Sequence, residues 1–451
     1  MPRTGHDPAS PMEEIVVSIR IRRASVLFAA IAAVALLVAS NFRAGGSPAT
    51  AAGPPDASVT DWDAVAMTAM LANPGITPPE QLVLYGYLSI AVYDSVVAIN
   101  GGYEPFLVDA SAPAGTSSEA AVASAARGIL LHHLTAPAAV GIIETAYATA
   151  LAGIADGPAK DAGVGVGATV AQAVIDARAG DGFRAPQPDY VNPDPPVPGV
   201  YVTTPPPPPP LGPIGRHLAK MTPFVLDSAD QLRPNGPPAL HTGRWANDFN
   251  EVKDVGALDS STRTPEQTLA ARFWGENPVA QAHGGLRQFV GEHELDILDA
   301  ARFMAMVSVT QADAAIACFE AKYFYAYWRP VTAVRAGDTD GNPKTAGDPA
   351  WTPLLPATPN HPEYPSAHSC ATPAGARVIA RFLGTEDIHY TIPSLTGLGA
   401  RYYPDVDSLI EEVGNARIWG GIHFRSAVKD GTTIGTKTAN KVLSQHFRPT
   451  D

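Results

Sequence analysis

The chain has 451 residues, 45% of them hydrophobic and 17% charged, with 44 prolines and 40 glycines. That is apolar material for a large core in one domain or two, cut by many loops. The net charge of −13 argues against nucleic acid or an anionic membrane as partner, and two cysteines are too few for a disulfide scaffold or a zinc site.

The first stretch reads as an export signal. Arg20, Arg22 and Arg23 form a basic region. Residues 26–39 follow as an unbroken apolar run, too short to span a bilayer comfortably. Small residues around Ala51-Ala52 then offer a cleavage site. An uncleaved anchor is the alternative. Residues 1–52 are assigned to signal and flank, and the remainder is expected to be exported. No other run of 18 apolar residues occurs, so no stable membrane span is expected there.

Residues 53–183 form an N-terminal helical half, with helices predicted over Pro79–Asn100 and Ser118–His133. His132-His133 closes the second helix; a metal site or a role at the helix's negative end would each use paired histidines. Residues 184–245 are a connector. The four prolines between 193 and 198 and the six from Pro205 to Pro210 leave no room for a helix or central strand. It reads as a stiff strap on the surface or a polyproline ligand for a partner.

Residues 246–448 make the C-terminal half. Thr264-Pro265-Glu266-Gln267 is a helix start with a capping box, leading toward Trp274. Residues 292–329 contain no glycine or proline, which predicts two helices or one long curved one. Strand-like alternation is scarce. The expected fold class is all-α, a large helical-bundle fold of two packed bundles. A faint internal echo, Ala91-Val92-Tyr93-Asp94 against Gln311-Ala312-Asp313, is as consistent with two related bundles as with chance between Ala-rich helices.

Three short motifs carry chemistry. Lys322 and Arg329 lie seven residues apart among aromatic residues, a setting suited to burial, and buried cations need a partner. If helical, the two share a face. Pro365-Ser366-Ala367-His368 stands before the mainly apolar residues 374–383, so it reads as a loop entering a helix, where unpaired N–H groups and the dipole bind anions. Arg417 and His423 flank Gly420-Gly421, which lets the backbone turn or approach something closely.

Together, Lys322-x6-Arg329-Pro330, Pro365-Ser366-Ala367-His368 and Arg417-x5-His423 resemble the three-part signature of the vanadium-dependent haloperoxidases and type 2 phosphatidic acid phosphatases. The likeness reaches over most of residues 82–447, including Tyr93-Asp94, Thr222-Pro223-Phe224 and His283. It implies vanadate as cofactor and hydrogen peroxide and halide as substrates. Lys322, Arg329 and Arg417 would neutralise the oxyanion, with Ser366 Oγ and the Ala367 N–H adding hydrogen bonds. His423 would bind vanadium, and His368 would handle protons. His361, seven residues before His368, is the implied halide-tuning residue. The runner-up is an exported acid phosphatase acting on small phosphate esters, with His423 as phosphoryl acceptor.

This chain departs from the pattern at Ala367 for glycine, Ala416 for serine, and Ala427 for the aspartate that orients the second histidine. Asp430, one turn on, is the expected stand-in. A carboxylate missing at Ala427 weighs against phosphoryl transfer. A Cys318–Cys370 disulfide and a homo-oligomer remain open.

Overall fold

A computed structural model describes residues 17–19, 57–204 and 212–450. The signal segment's apolar run, its cleavage site and the prolines 205–210 lie outside the described residues. The architecture is helical. The N-terminal half carries α1 (Ala57–Leu71), α2 (Pro78–Asn100), α3 (Ser118–His133), α4 (Pro137–Ala152) and α5 (Pro158–Ala177). The C-terminal half carries α6 (Gly243–Val255), α7 (Pro265–Phe273), α8 (Pro278–Glu292), α9 (Ile297–Tyr325) and α10 (Pro330–Arg335), followed by α11 (Ala367–Leu383), α12 (Val406–Trp419) and α13 (Arg425–Gln445). Two small antiparallel ribbons complete it: β1 (Val17–Ile19) with β2 (Val108–Ala110), and β3 (Tyr390–Ile392) with β4 (Arg401–Tyr403).

Helix α7 starts as its sequence dictates. The Thr264 hydroxyl accepts from the Gln267 N–H at 3.2 Å, and the Gln267 side chain accepts from the Thr264 N–H at 2.9 Å. The stretch without glycine or proline contains one 29-residue helix, α9, buried along nearly its whole length. It packs on α2, α11 and α13, and one continuous apolar core runs from Val59 to Phe447 through it. Helices α2 and α9 are long and apolar enough to cross a membrane, but 83% and 100% of their most apolar windows lie inside the protein. They are core helices here.

The internal echo has a structural counterpart. Asp94 on α2 is fully buried and accepts from three consecutive N–H groups, those of Phe106, Leu107 and Val108, at 2.6, 2.9 and 2.8 Å. Asp313 on α9 does the same for Phe224, Val225 and Leu226, at 2.5, 2.8 and 2.8 Å. The clasped loops also echo each other, Pro105-Phe106-Leu107-Val108-Asp109 against Pro223-Phe224-Val225-Leu226-Asp227.

The connector is docked, not merely wrapped on the outside. Tyr201 is fully buried, its hydroxyl donating to Asn360 Oδ1 at 2.5 Å and its N–H to the Ala326 carbonyl at 2.7 Å. The Ile214 N–H donates to the Asn360 carbonyl at 2.9 Å. It thus braces both the end of α9 and the loop before α11.

Candidate active site

The site forms where four segments meet: the end of α9, the loop and first turn of α11, the end of α12, and the turn into α13. Helix α9 does not carry both Lys322 and Arg329, as the seven-residue spacing suggested. It stops at Tyr325; Ala326 turns the chain away with φ +42°, and Arg329 caps α10. The proline at 330 takes the first position of a new helix. The two cations still converge, through a turn and not a shared helical face.

Both are fully buried. Lys322 Nζ donates to the carbonyls of Pro362 and Glu363, at 3.0 and 3.1 Å, and to that of Pro365. Arg329 gives Nε to the His361 carbonyl at 2.8 Å and Nη1 to the Ile422 carbonyl at 2.9 Å. Arg417, on the last turn of α12, gives Nη1 to the Trp274 carbonyl and leaves its buried Nε without a partner. Carbonyl dipoles orient these cations without cancelling their charge. Burial presses Lys322 down to about 8, Arg329 to about 10 and Arg417 to about 9.

Ser366 caps α11, and its hydroxyl accepts from Ser369 at 3.1 Å. Ala367 and His368 occupy the first helical turn, where N–H groups have no intrahelical acceptor. Helix α13 backs this turn closely: a Cβ at Gly435 would stand 2.1 Å from the Cys370 carbonyl oxygen, so only glycine lets the helices meet there. His368 Nε2 is buried and unpartnered.

Gly421, at φ +73°, lets the chain turn from α12 toward α13, placing His423. Arg329 Nη1 lies 3.3 Å from His423 Nε2, and Glu363 Oε1 lies 2.9 Å from His423 Nδ1. Since a guanidinium can only donate, Nε2 must accept; the proton sits on Nδ1 and goes to Glu363. The imidazole is thereby held neutral with its lone pair on the arginine side. Burial, and then the charges of Arg329, Lys322 and Arg417, push the His423 pKa well below its usual value. The same cations, with Arg417 first after burial, do so for His368.

The orienting carboxylate is therefore Glu363, not Asp430. Asp430 accepts from the Tyr364 hydroxyl at 2.7 Å and faces Arg244. The position left apolar at Ala427 is compensated from the opposite motif, three residues before Ser366. Glu363 is fully buried, also accepts from the Phe424 N–H at 2.9 Å, and is pushed up to about 8 by burial. Glu363 lies outside the three motifs that carry the resemblance; a carboxylate two residues from His361 was the available signal.

His361 is buried, tilts against Phe319, and has Nδ1 at 3.0 Å from Arg329 Nη2 and 3.1 Å from the Pro362 carbonyl. Cys318 and Cys370 are both buried free thiols packed in one small cluster, so the disulfide considered above is not formed. His132 and His133 sit far from this chemistry; His133 stacks on Tyr87 in the N-terminal half.

A cavity of about 520 Å3 opens over these groups. His361, Ala367, His368, Arg417 and His423 line its floor, whereas Lys322, Arg329 and Ser366 stand behind it. The donor set fits a tetrahedral oxyanion: three buried cations, a helix N-terminus and two neutral imidazoles face a single carboxylate that is itself held toward its neutral form. Unpartnered Arg417 Nε and His368 Nε2 add polar capacity left unused by the protein.

Comparison with known proteins points the same way. Residues 302–450 match the VCPO second helical-bundle domain. A stretch of 151 residues, 28% of this chain, is 30% identical to the vanadium chloroperoxidase of Curvularia inaequalis and spans 24% of that protein's length. The crystal structure of the first bacterial vanadium-dependent iodoperoxidase superposes with a TM-score of 0.72 at 23% identity, over 87% of this chain and 96% of that one. A holo-type bacterial vanadium-dependent chloroperoxidase superposes with 0.64 at 18% identity, over 89% and 94%.

Proposed function

Taking as premise that this chain is a vanadium haloperoxidase-like protein, we propose that it binds vanadate and uses hydrogen peroxide to oxidise halide to hypohalous acid. The observation that supports this reading is the uncompensated positive charge of Lys322, Arg329 and Arg417 around two neutral histidines. Bound there, vanadate would supply a Lewis-acidic centre that makes peroxide oxygen electrophilic toward halide.

The chain's own residues do the rest. Arg417, on the floor, and the field of Lys322 and Arg329 behind it hold the anion's charge. His423 offers the Nε2 lone pair, kept there by Glu363 on the other nitrogen. His368, neutral and half-buried beside Ala367, takes a proton from incoming peroxide and returns it to the departing oxygen. The apolar walls above limit water.

A second reading gains from Glu363. A histidine nucleophile needs an orienting carboxylate, and Glu363 supplies one where Ala427 does not. Acid phosphatase activity on small phosphate esters therefore stays in view. The test compares two assays on one preparation: peroxide-dependent triiodide or tribromide formation after vanadate loading, and aryl phosphate hydrolysis by the unloaded protein. Halide oxidation is expected to dominate. Robust ester hydrolysis with no halide oxidation after full loading would favour the phosphatase.

A further inference from the structure

Helix α7 ends at Phe273, and Trp274 follows as its C-terminal cap. The last carbonyls of a helix have no partner within it, and the helix dipole makes this end negative. Gln281 Nε2 takes the Phe273 carbonyl at 3.0 Å. The next carbonyl, that of Trp274, accepts from Arg417 Nη1 on α12. The His368 ring on α11 also bonds the Trp274 backbone. The Trp274 N–H is already given to the Ala270 carbonyl at 3.0 Å, so the Trp274 carbonyl is the acceptor for His368 too. A carbonyl oxygen has two lone pairs, enough for both donors. Since His368 Nε2 has no partner, the bond belongs to Nδ1–H, and Nε2 keeps its lone pair.

That carbonyl is held by a clamp on the indole of the same residue. Trp274 is 3% exposed and gives Nε1 to Glu412 Oε1 at 3.0 Å. Glu412 is itself fixed from β4. Arg401 reaches both its oxygens, Nε to Oε1 at 2.7 Å and Nη2 to Oε2 at 2.6 Å, and the Tyr403 hydroxyl donates to Oε1 at 2.6 Å. A two-pronged guanidinium–carboxylate pair adds geometric specificity as well as energy. Arg401 also reaches Glu266, in the first turn of α7, at 2.6 Å, so β4 fastens that helix at both ends. Glu412 stands five residues before Arg417, so α12 carries both the arginine and the carboxylate that places its acceptor. Trp274, Arg401 and Glu412 all lie outside the three motifs.

We propose that the Trp274 carbonyl is a positioning group shared by His368 and Arg417, and that Glu412 is the positioning residue that fixes it through the indole. The carbonyl sets the His368 proton on Nδ1. It also aims Arg417, tying one nitrogen and leaving Nε over for an anion. This assignment rests on the oxyanion site common to the peroxidase and phosphatase readings, not on halide oxidation.

The test measures orthovanadate binding to the full chain by calorimetry. It also reads the His368 tautomer by nitrogen NMR on histidine-labelled protein without anion, the signal being assigned by its loss in His368→Ala. In the parent, His368 should be a single Nδ1–H tautomer. Trp274→Phe removes the indole N–H, and Glu412→Leu removes its acceptor. Each should mix the tautomers and weaken vanadate binding about tenfold or more. Glu412→Gln keeps an oxygen for the indole and should stay within about threefold of the parent, with one tautomer. Glu266→Gln loses only the outer arm of Arg401, so it should lower Tm and leave both site readouts unmoved. A tautomer and a vanadate affinity unchanged in Trp274→Phe and Glu412→Leu, with only Tm reduced, would make the clamp structural and overturn the assignment. If the parent bound no vanadate, the oxyanion site itself would fall, and the tautomer comparison would still decide whether the clamp positions His368.

Discussion

Helices α2 and α9 use the same device to different ends. Each buries an aspartate that clasps a Pro-Phe loop through three successive N–H groups. In α2 the clasped loop follows the helix; in α9 it precedes it by most of a hundred residues. Past Asp94, α2 ends at Asn100, and the residue nine beyond the aspartate is Tyr103, whose hydroxyl donates to Asp299 at 3.1 Å. Past Asp313, α9 runs on to Tyr325, and the residue nine beyond is Lys322. The clasp fixes a scaffold in both halves. Only in α9 do the extra turns carry a residue of the candidate site, Lys322.

The strongest way to break this comparison is to remove each clasp. Asp313→Ala leaves three buried N–H groups unpaired, at about 1–3 kcal/mol each, and loosens the helix that positions Lys322. It should lower unfolding free energy by several kcal/mol and weaken vanadate binding. Asp94→Ala should cost similar stability but spare vanadate affinity in the folded fraction. Urea unfolding paired with vanadate calorimetry reads both. Equal loss of vanadate affinity would show that the two halves are not separable in this way.

A second difference lies in charge. Burial pushes Asp94 up to about 7, with Asp109 adding to it, whereas Asp313 reaches about 6, with Arg178 pulling it down. An acid whose folded pKa is raised binds its proton more tightly in the folded state. Its contribution is therefore full at low pH and lost as pH rises through the folded value. On this account stability should decline from about pH 4 to 7 through Asp94, and from about pH 4 to 6 through Asp313. The change should be of order a few kcal/mol. Asp94→Asn should flatten the Tm profile up to pH 7, and Asp313→Asn only up to pH 6. An unaltered slope in both would mean that the three N–H groups keep each carboxylate ionised throughout.

The site end of α9 can be sharpened through Glu363. Glu363→Gln keeps the shape but replaces the carboxyl group that accepts the His423 Nδ1–H with a carboxamide. Losing such an outer partner costs about 10–100-fold in ligand affinity or rate. Vanadate titration should show that loss. A drop in thermal stability without it would make Glu363 a packing residue.

The sequence carried the helical class and the cap at Thr264, because local spacing and capping chemistry decide those. It also carried the convergence of Lys322, Arg329, Ser366, His368, Arg417 and His423, because three ordered motifs constrain one another. What it hid depends on tertiary contact. Nothing local shows that the helix ends at Ala326, since a left-handed alanine is set by the Tyr201 strap bonding its carbonyl. The contact between Glu363 and His423 joins residues 60 apart in sequence. The second aspartate clasp was half visible as an echo around Asp94 and Asp313. Its confirming half, the two Pro-Phe loops, lies on opposite sides of the two helices in chain order.

The smallest expected effect is at His361. Its ring accepts from one Arg329 nitrogen, but Arg329 is also held by the backbone carbonyl of residue 361 and by that of Ile422. Those two bonds survive the loss of the side chain. His361→Ala should therefore change vanadate affinity by no more than about threefold, the scale of a single shared hydrogen bond. Burial and the neighbouring Lys322 and Arg329 hold the imidazole well below its usual pKa, so on the halide-oxidising reading its removal should not move the pH optimum. What changes is the cavity floor, where the ring stands between Phe319 and the oxyanion pocket. Rates with bromide and iodide, measured on vanadate-loaded protein, should shift relative to each other by more than the change in vanadate affinity. A variant that differed from the parent only in Tm would mark His361 as a brace for Arg329 and nothing more.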